Sequence, residues 1–358
     1  MTTREPSWWY APSPGLVGRL LEPVGTLWGR LAQRRLARGP AYRANVPVIC
    51  IGNFTAGGTG KTPLALEVGR IVQAMGLTVA FLSRGYGGRL SGPHWVDVAS
   101  DRSGDVGDEP LLLAAAHPTL VARDRVAGAR SIAEGAVAAD VIIMDDGLQN
   151  PGVAKDLSFA VVDGARGIGN GRVIPAGPLR APLDFQLTLV DAIVVNRGSA
   201  ADQDRGAEGG VGVSDFADRL RHEFEGPVLD AHIAPSGATD WLSGAPVVAF
   251  AGIGVPNRFF ATLRALGAHL AGEIAFPDHH AFSPADAARL LDLARGHGAT
   301  LVTTEKDLVR LSGLDGTLAD LRLAARALPV RMKLDTRDES RLMALIEGAV
   351  VRRGPKSR

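Results

Sequence analysis

The chain has 358 residues, a formal net charge of +1, and 46% hydrophobic against 22% charged residues, so it is long enough for two ordinary domains and too apolar to be disordered as a whole. A near-neutral balance excludes a protein that coats nucleic acid, which needs a basic domain or stripe, and no nucleic-acid partner is expected. The single cysteine, Cys50, excludes an internal disulfide, and its place in an apolar run marks a packed small hydrophobe in a reducing compartment.

Residues 1–13 carry prolines and the adjacent Trp8 and Trp9, with no small-residue cleavage site after an apolar core, so no cleavable signal is expected. Over residues 16–36, Leu16, Val17, Leu20, Leu21, Val24, Leu27, Trp28 and Leu31 recur at helical spacing, interspersed with and followed by Arg19, Arg30, Arg34, Arg35 and Arg38. Arg19, Glu22, Pro23 and Arg30 interrupt the run too often for a spanning helix, which needs about 20 mostly apolar residues. Two readings stay open for this unit, residues 1–43. One is a basic amphipathic helix lying on a membrane, with Trp8, Trp9, Tyr10 and Trp28 at headgroup level and the arginines toward anionic lipid. The other is a helix packed on its own domain with a solvated basic face.

Residues 44–235 read as a phosphate-binding domain. An apolar run at 46–51 leads into Thr55-Ala56-Gly57-Gly58-Thr59-Gly60-Lys61-Thr62, and a helical stretch follows at 64–75. Strand, glycine loop, Lys-Thr and helix in that order cradle phosphate: backbone N–H groups turn inward and the helix N-terminus adds partial positive charge. Lys61 then reaches the β- and γ-phosphates and the Thr62 hydroxyl holds Mg²⁺. The general pattern has glycine where Thr55 stands, but the strand-to-helix context is the one the motif requires.

Further apolar runs at 78–82, 119–121, 141–144, 159–162 and 192–195 alternate with helical stretches, which indicates a mostly parallel sheet. Loops leaving the carboxyl ends of such strands line the ligand crevice. Arg84-Gly85-Tyr86-Gly87-Gly88, Arg123 and Arg125, and the glycine- and arginine-rich stretch 163–180 ending in Arg180 leave such ends and suit anion recognition. Asn196, at another strand end, is a weaker candidate for contact with a nucleotide base. Val141-Ile142-Ile143-Met144-Asp145-Asp146 has the form of a strand delivering carboxylates to a phosphate-bound Mg²⁺, against the alternative of a capping Asp before Gly147. Gly107-Asp108-Glu109-Pro110 opens an apolar stretch. It is either a plain acidic helix start or the source of a general base for a substrate hydroxyl, with a neighbouring imidazole to orient it. The Gly/Asp-rich stretch 198–212 is expected to be disordered.

After residue 235 a second, smaller α/β unit spans 236–358, with strands at 246–251, near 272–276 and at 300–303, and helices at 257–266 and 284–295, the latter started by Ser283, Pro284 and Asp286. Residues 228–233 and 330–334 are expected to run between the two units, with a hinge at 228–235 and a final helix at 339–350 returning to the first. Phe276-Pro277-Asp278-His279-His280 lies on a loop able to face the cleft. Its histidines read first as catalytic support, then as a plain polar loop, and last as zinc ligands, since no third and fourth ligand appear at fitting spacing.

Residues 52–55 and 60–63, the 84–88 segment, 107–110, Asp145-Asp146-Gly147-Leu148-Gln149, 169–180, 276–280 and Thr303-Thr304-Glu305-Lys306-Asp307 together resemble, in order and over nearly the whole chain, the tetraacyldisaccharide 4′-kinases of lipid A synthesis. The resemblance accounts for Thr55, since that family has Thr there. It implies transfer of the γ-phosphate of ATP, with Mg²⁺, to the 4′-hydroxyl of a tetraacylated glucosamine disaccharide 1-phosphate at the cytoplasmic face of the bacterial inner membrane, with the N-terminal helix as membrane anchor and no obligate protein partner. It further implies Asp108 as base with His279 as its partner, Asp145 and Asp146 as metal ligands, and Arg123 or Arg125 and Arg180 on transferring or substrate phosphate. One position departs: after Arg180 the family has Glu before Pro, and here Ala181 stands. Two other readings compete, an ATPase or GTPase driving assembly or metal insertion through a protein partner, and a nucleotide-sensing module without turnover.

Overall fold

The computed structural model describes residues 5–11, 15–135, 137, 139–198 and 213–353, so the stretch expected to be disordered lies outside them from residue 199 on. Thirteen strands are described: β1 Val48–Gly52, β2 Val79–Ser83, β3 His94–Trp95, β4 Thr119–Val121, β5 Val141–Asp145, β6 Leu157–Asp163, β7 Ala192–Asn196, β8 Val228–Pro235, β9 Pro246–Ala251, β10 His269–Ala275, β11 Thr300–Thr304, β12 Ala325–Leu328 and β13 Val330–Leu334. Nine of them build one sheet in the order β13-β8-β7-β6-β1-β5-β2-β4-β3, and four build a second in the order β10-β9-β11-β12. Within the large sheet only the edge pairs β3–β4 and β13–β8 are antiparallel.

β1 shows why the large sheet forms. All five of its residues are buried, as a central parallel strand covered on both faces requires. Val48 and Cys50 pack into one core with Leu148 and Leu179. Ile49 and Ile51 point to the opposite core, where helix α2 (Lys61–Ala74) contributes Leu64, Val68 and Ile71. Burial pushes the Cys50 thiol up to about 11, so it is a packing group and not a thiolate nucleophile. β1 is flanked by β5 and β6: the chain runs from β1 to β2 toward one edge and later from β5 past β1 to β6 toward the other, so the carboxyl end of β1 is the switch point where a ligand crevice opens.

The segment expected to hinge is instead a strand, since β8 is laddered to β7 on one side and to β13 on the other. The chain therefore leaves the large sheet after Pro235 and returns between Leu328 and Val330, and the Thr336–Arg353 helix packs Leu342, Ile346 and Ala349 into the core that α2 also fills. In the small sheet, Val247, Ala249 and Ala251 face one core while Val248 and Phe250 face the other.

Helix α1 (Gly15–Leu36) packs in an unexpected sense. Its buried residues are Gly18, Gly25 and Gly29, while Leu16, Leu20, Val24, Leu27, Trp28 and Leu31 are exposed. A Cβ on Gly25 would stand 2.6 Å from the Val173 carbonyl oxygen, and one on Gly29 would stand 3.3 Å from Pro182. The glycine face thus lets α1 lie directly on the chain just before and after Arg180. No described helix is long and apolar enough to cross a membrane.

At the end of β1, a Cβ on Gly52 would sit 2.4 Å from the Cβ of buried Leu148. Gly52→Ala is accordingly expected to destabilise the protein by about 1–3 kcal/mol through overpacking, read as a lowered Tm. An unchanged Tm would contradict this packing.

Candidate active site

Residues 53–60 join β1 to α2. Gly60 caps the helix with φ 98°, a left-handed conformation that a side chain disfavours, and a Cβ there would stand 2.7 Å from the Asn196 amide nitrogen. The first turn of α2 begins at Lys61 and Thr62, where N–H groups have no partner within the helix. Asn196 Nδ2 donates to the Thr59 carbonyl at 3.0 Å, and its Oδ1 accepts from Gly198 N. The side chain considered for base contact is therefore spent on bracing the loop. Thr55 is buried and Ala56 N donates to the Pro178 carbonyl at 2.8 Å, which ties the loop to the segment before Arg180. Gly57 and Gly58 are exposed, with open space beside Gly58, while the Glu5 carboxylate lies against Gly57 and pairs with Arg166 at 2.9 Å.

Two carboxylates stand at the end of β5, and their surroundings drive them apart. Asp146, at φ 50°, accepts from Arg180 Nη1 at 2.8 Å and lies 3.8 Å from Lys61 Nζ. Burial alone would raise its pKa, but Lys61 and Arg180 hold it below the usual carboxylate range. Asp145 is buried, and burial together with the charge of Asp146 pushes it up to about 7. Its Oδ1 has no hydrogen-bond partner, and neither has the buried Thr59 Oγ1. Burial lowers the Lys61 ammonium while Asp146 opposes that shift. Unpartnered buried oxygen on Asp145 with the Asp146 carboxylate as its neighbour is a hard-oxygen donor pair, and it fits Mg²⁺.

Arg180 also donates from Nε to the Thr55 carbonyl at 3.1 Å and from Nη1 to Gln149 Oε1 at 3.1 Å. Gln149 in turn donates to the Asn53 carbonyl at 2.7 Å and to Gln186 Oε1 at 2.9 Å. Ala181 is fully buried, and its carbonyl accepts from Gln186 Nε2 at 2.8 Å. The side chain at 181 brings no carboxylate, and the amides of Gln149 and Gln186 hold the loop. The other two arginines stand apart from this cluster of bonds. Arg123 is exposed and its Nη2 donates to the Gly88 carbonyl. Arg125 is buried, its Nη1 donates to the Ala122 carbonyl at 2.6 Å, its Nε has no partner, and burial lowers its pKa to about 10.

The small sheet supplies the other half of the site. Gly107, at φ 94°, turns the chain into the Asp108–Ala114 helix, and a Cβ on it would stand 2.4 Å from the Tyr86 carbonyl oxygen. Asp108 is buried, and its Oδ2 accepts from His279 Nδ1 at 2.9 Å and from Arg310 Nε at 2.7 Å. Burial would raise the Asp108 pKa, but the His279 hydrogen bond and the Arg310 charge reverse it and hold the group low. His279 has φ 57°. Together with Asp146 it is one of two non-glycine residues with positive φ among the described residues, so backbone strain concentrates at this cleft. On the far side of the imidazole, Lys306 Nζ lies 3.3 Å from Nε2 and 2.7 Å from Glu109 Oε1. His280 instead pairs with Asp286 at 3.0 Å, and no group of three or more His, Cys, Asp or Glu among the described residues could hold a metal, so the zinc alternative has no ligand set there.

In the sequence Glu109 and Lys306 lie in the 107–110 and 303–307 segments without a role of their own, and Arg310 lies outside every segment with a functional reading. The signal was partial: Lys306 and Asp307 lie in the 303–307 segment, and Arg310 stands three residues beyond Asp307, the spacing of a helical ion pair.

The family model described as tetraacyldisaccharide-1-P 4′-kinase matches residues 17–350. A tetraacyldisaccharide 4′-kinase of Methylorubrum extorquens (strain PA1) is 48% identical over 346 residues, covering 97% of this chain and 98% of the relative. One of Parvibaculum lavamentivorans is 49% identical over 355 residues, covering 98% of each. Among solved structures, the chain is similar to the "apo" form of LpxK from Aquifex aeolicus in complex with ATP, with a TM-score of 0.71 at 24% identity over 94% of this chain and 100% of that one. On the extent of the family match and the identity to these relatives, the chain belongs to the tetraacyldisaccharide-1-P 4′-kinase family.

Proposed function

We propose that the protein transfers the γ-phosphate of ATP to the 4′-hydroxyl of a tetraacylated glucosamine disaccharide 1-phosphate, with the chemistry in the cleft between the 53–60 loop and the 276–280 loop. The observation that carries the assignment of roles is the Asp108–His279 contact at 2.9 Å. It joins a carboxylate on the phosphate-loop side to an imidazole 171 residues away on the small-sheet side.

In this reading the N–H groups of residues 57–62 and the Lys61 ammonium hold the β- and γ-phosphates. Thr62, Asp145 and Asp146 hold Mg²⁺, which would neutralise charge on the phosphate oxygens. Both protein bonds to Asp108 fall on Oδ2, which leaves Oδ1 to accept the proton of the 4′-hydroxyl. As that O–H bond breaks, the 4′-oxygen forms a bond to the γ-phosphorus, the bond from γ-phosphorus to the bridging oxygen breaks, and ADP leaves with that electron pair. His279 steadies the carboxylate through Nδ1–H, and Lys306 on Nε2 supports that tautomer. In this reading Arg180, already paired with Asp146, stabilises the transferring phosphate, and Arg123 or Arg125 serves transferring or substrate phosphate. We take residues 44–235 with β13 as the kinase lobe and the small sheet as the lobe that closes on it. The test of the reaction is incubation with MgATP and detergent-dispersed tetraacyl disaccharide 1-phosphate: a lipid heavier by one phosphate supports it, and an unchanged lipid contradicts it.

The exposed apolar face of α1 supports attachment to the cytoplasmic face of the inner membrane, with the acyl chains of the substrate entering from the bilayer. No nucleic-acid or obligate protein partner enters this reading. Leu20→Glu combined with Leu27→Glu is expected to weaken partitioning onto anionic vesicles by at least about 10-fold while leaving ATP affinity unchanged. Cosedimentation equal to that of the unaltered protein would contradict the anchor.

A further inference from the structure

Arg310 is nearly inaccessible and holds three groups at once. Its Nε donates to Asp108 Oδ2 at 2.7 Å, and its Nη1 donates to the Gly252 carbonyl and to Asp307 Oδ1, each at 2.6 Å. Asp307 is itself fixed: its Oδ2 accepts from Gly252 N at 3.1 Å and from Thr304 Oγ1 at 2.7 Å. The Glu305–Arg310 helix begins at Thr304, where β11 ends, and Gly252 follows β9, so the guanidinium is anchored on the small sheet and reaches across 202 residues to the large-sheet side.

We infer that Arg310 is a positioning residue for phosphoryl transfer: it clamps the base Asp108 from the small-sheet side, so the carboxylate takes its working orientation only when the two halves of the cleft are together. The inference rests on the reading of Asp108 as base. With Nη1 held by both the Gly252 carbonyl and Asp307, the planar guanidinium is fixed and its Nε gives Asp108 Oδ2 one place to sit, while His279 fixes the same oxygen from a second direction. The charged and titratable groups around Asp108 are His279 from the 276–280 loop, Lys306 and Arg310 from one helix, and Glu109 beside it, with Asp105 one turn earlier paired to Arg89. The Arg310 charge helps hold Asp108 below the usual carboxylate range, against the effect of burial. Its loss therefore raises that pKa, and the acid limb of kcat, where Asp108 becomes protonated, moves to higher pH.

The experiment compares the full-length protein with Arg310→Gln, Arg310→Lys and Asp108→Asn, using MgATP and dispersed tetraacyl disaccharide 1-phosphate across pH, with ATP affinity and Tm measured alongside. Arg310→Gln is expected to lower kcat by about 10–100-fold, to leave ATP affinity nearly unchanged, and to move the acid limb up by about one pH unit. Arg310→Lys keeps the charge but cannot reproduce the fork, so kcat falls by about 10-fold while the limb stays near its original position. If Arg310→Gln does not fold, Arg310→Lys decides by the same split between rate and limb. An unaltered kcat, or a fall in kcat with no limb shift in Arg310→Gln, would overturn the role of Arg310 while a dead Asp108→Asn left the base in place. An active Asp108→Asn would remove the base itself and the inference with it.

Discussion

Lys61→Ala is expected to lower kcat/KM for phosphoryl transfer by about 10³-fold or more, equivalent to about 4 kcal/mol of transition-state stabilisation. Phosphoryl transfer asks the protein for charge neutralisation and in-line positioning more than for covalent help. Lys61 Nζ lies 3.8 Å from Asp146 Oδ1, so the ammonium joins the carboxylates we assign to Mg²⁺ to the loop we assign to the phosphates. Removing it leaves Arg180 as the remaining partner of Asp146 and strips the mobile phosphate of its nearest fixed positive charge. Steady-state kinetics with ATP as the varied substrate checks this, and a loss under about 10-fold would show that Lys61 does not touch the transferring group.

Asp108→Asn is expected to reduce kcat by about 10²- to 10⁴-fold while ATP binds as before. The amide oxygen can keep the bonds to His279 and Arg310, which turns an NH₂ group toward the position we assign to the 4′-hydroxyl. The variant therefore keeps the shape of the site and loses the proton acceptor, and turnover equal to that of the unaltered protein would exclude Asp108 as the base. Because the pKa of Asp108 is held low, protonation of the base is expected to limit kcat only in acid, read from the acid limb of a pH profile at saturating MgATP.

Much of this fold is legible because its signals are local. The loop after β1 and the carboxylates after β5 follow buried apolar strands, and the Ser283 start of the Pro284–His297 helix is written into adjacent residues whose side chain and backbone cap each other. What escapes is non-local. The Arg310–Asp108 bond joins residues 202 apart, and nothing at either end announces the other. Helix α1 shows an apolar stripe in sequence, yet its glycines decide which face packs, because only they allow the 173–182 backbone so close. The two-residue strand β3 is too short to show alternation. Residues 317–328 form one apolar-rich stretch that the structure divides into the Thr317–Ala324 helix and β12, a division made by pairing with β11 rather than by propensity. Asn196 reads as a polar residue at a ligand-facing strand end, and only the fold reveals that Thr59 uses its donor.

The central claim is that ATP is consumed to place phosphate on one hydroxyl of a lipid. The most direct measurement is phosphorus NMR of the lipid after reaction with MgATP, combined with the ADP formed in the same sample. The account predicts one new phosphomonoester on the 4′-oxygen for each ADP, and loss of both in Lys61→Ala. ADP released while the lipid keeps only its 1-phosphate would contradict it and identify a nucleotide hydrolase.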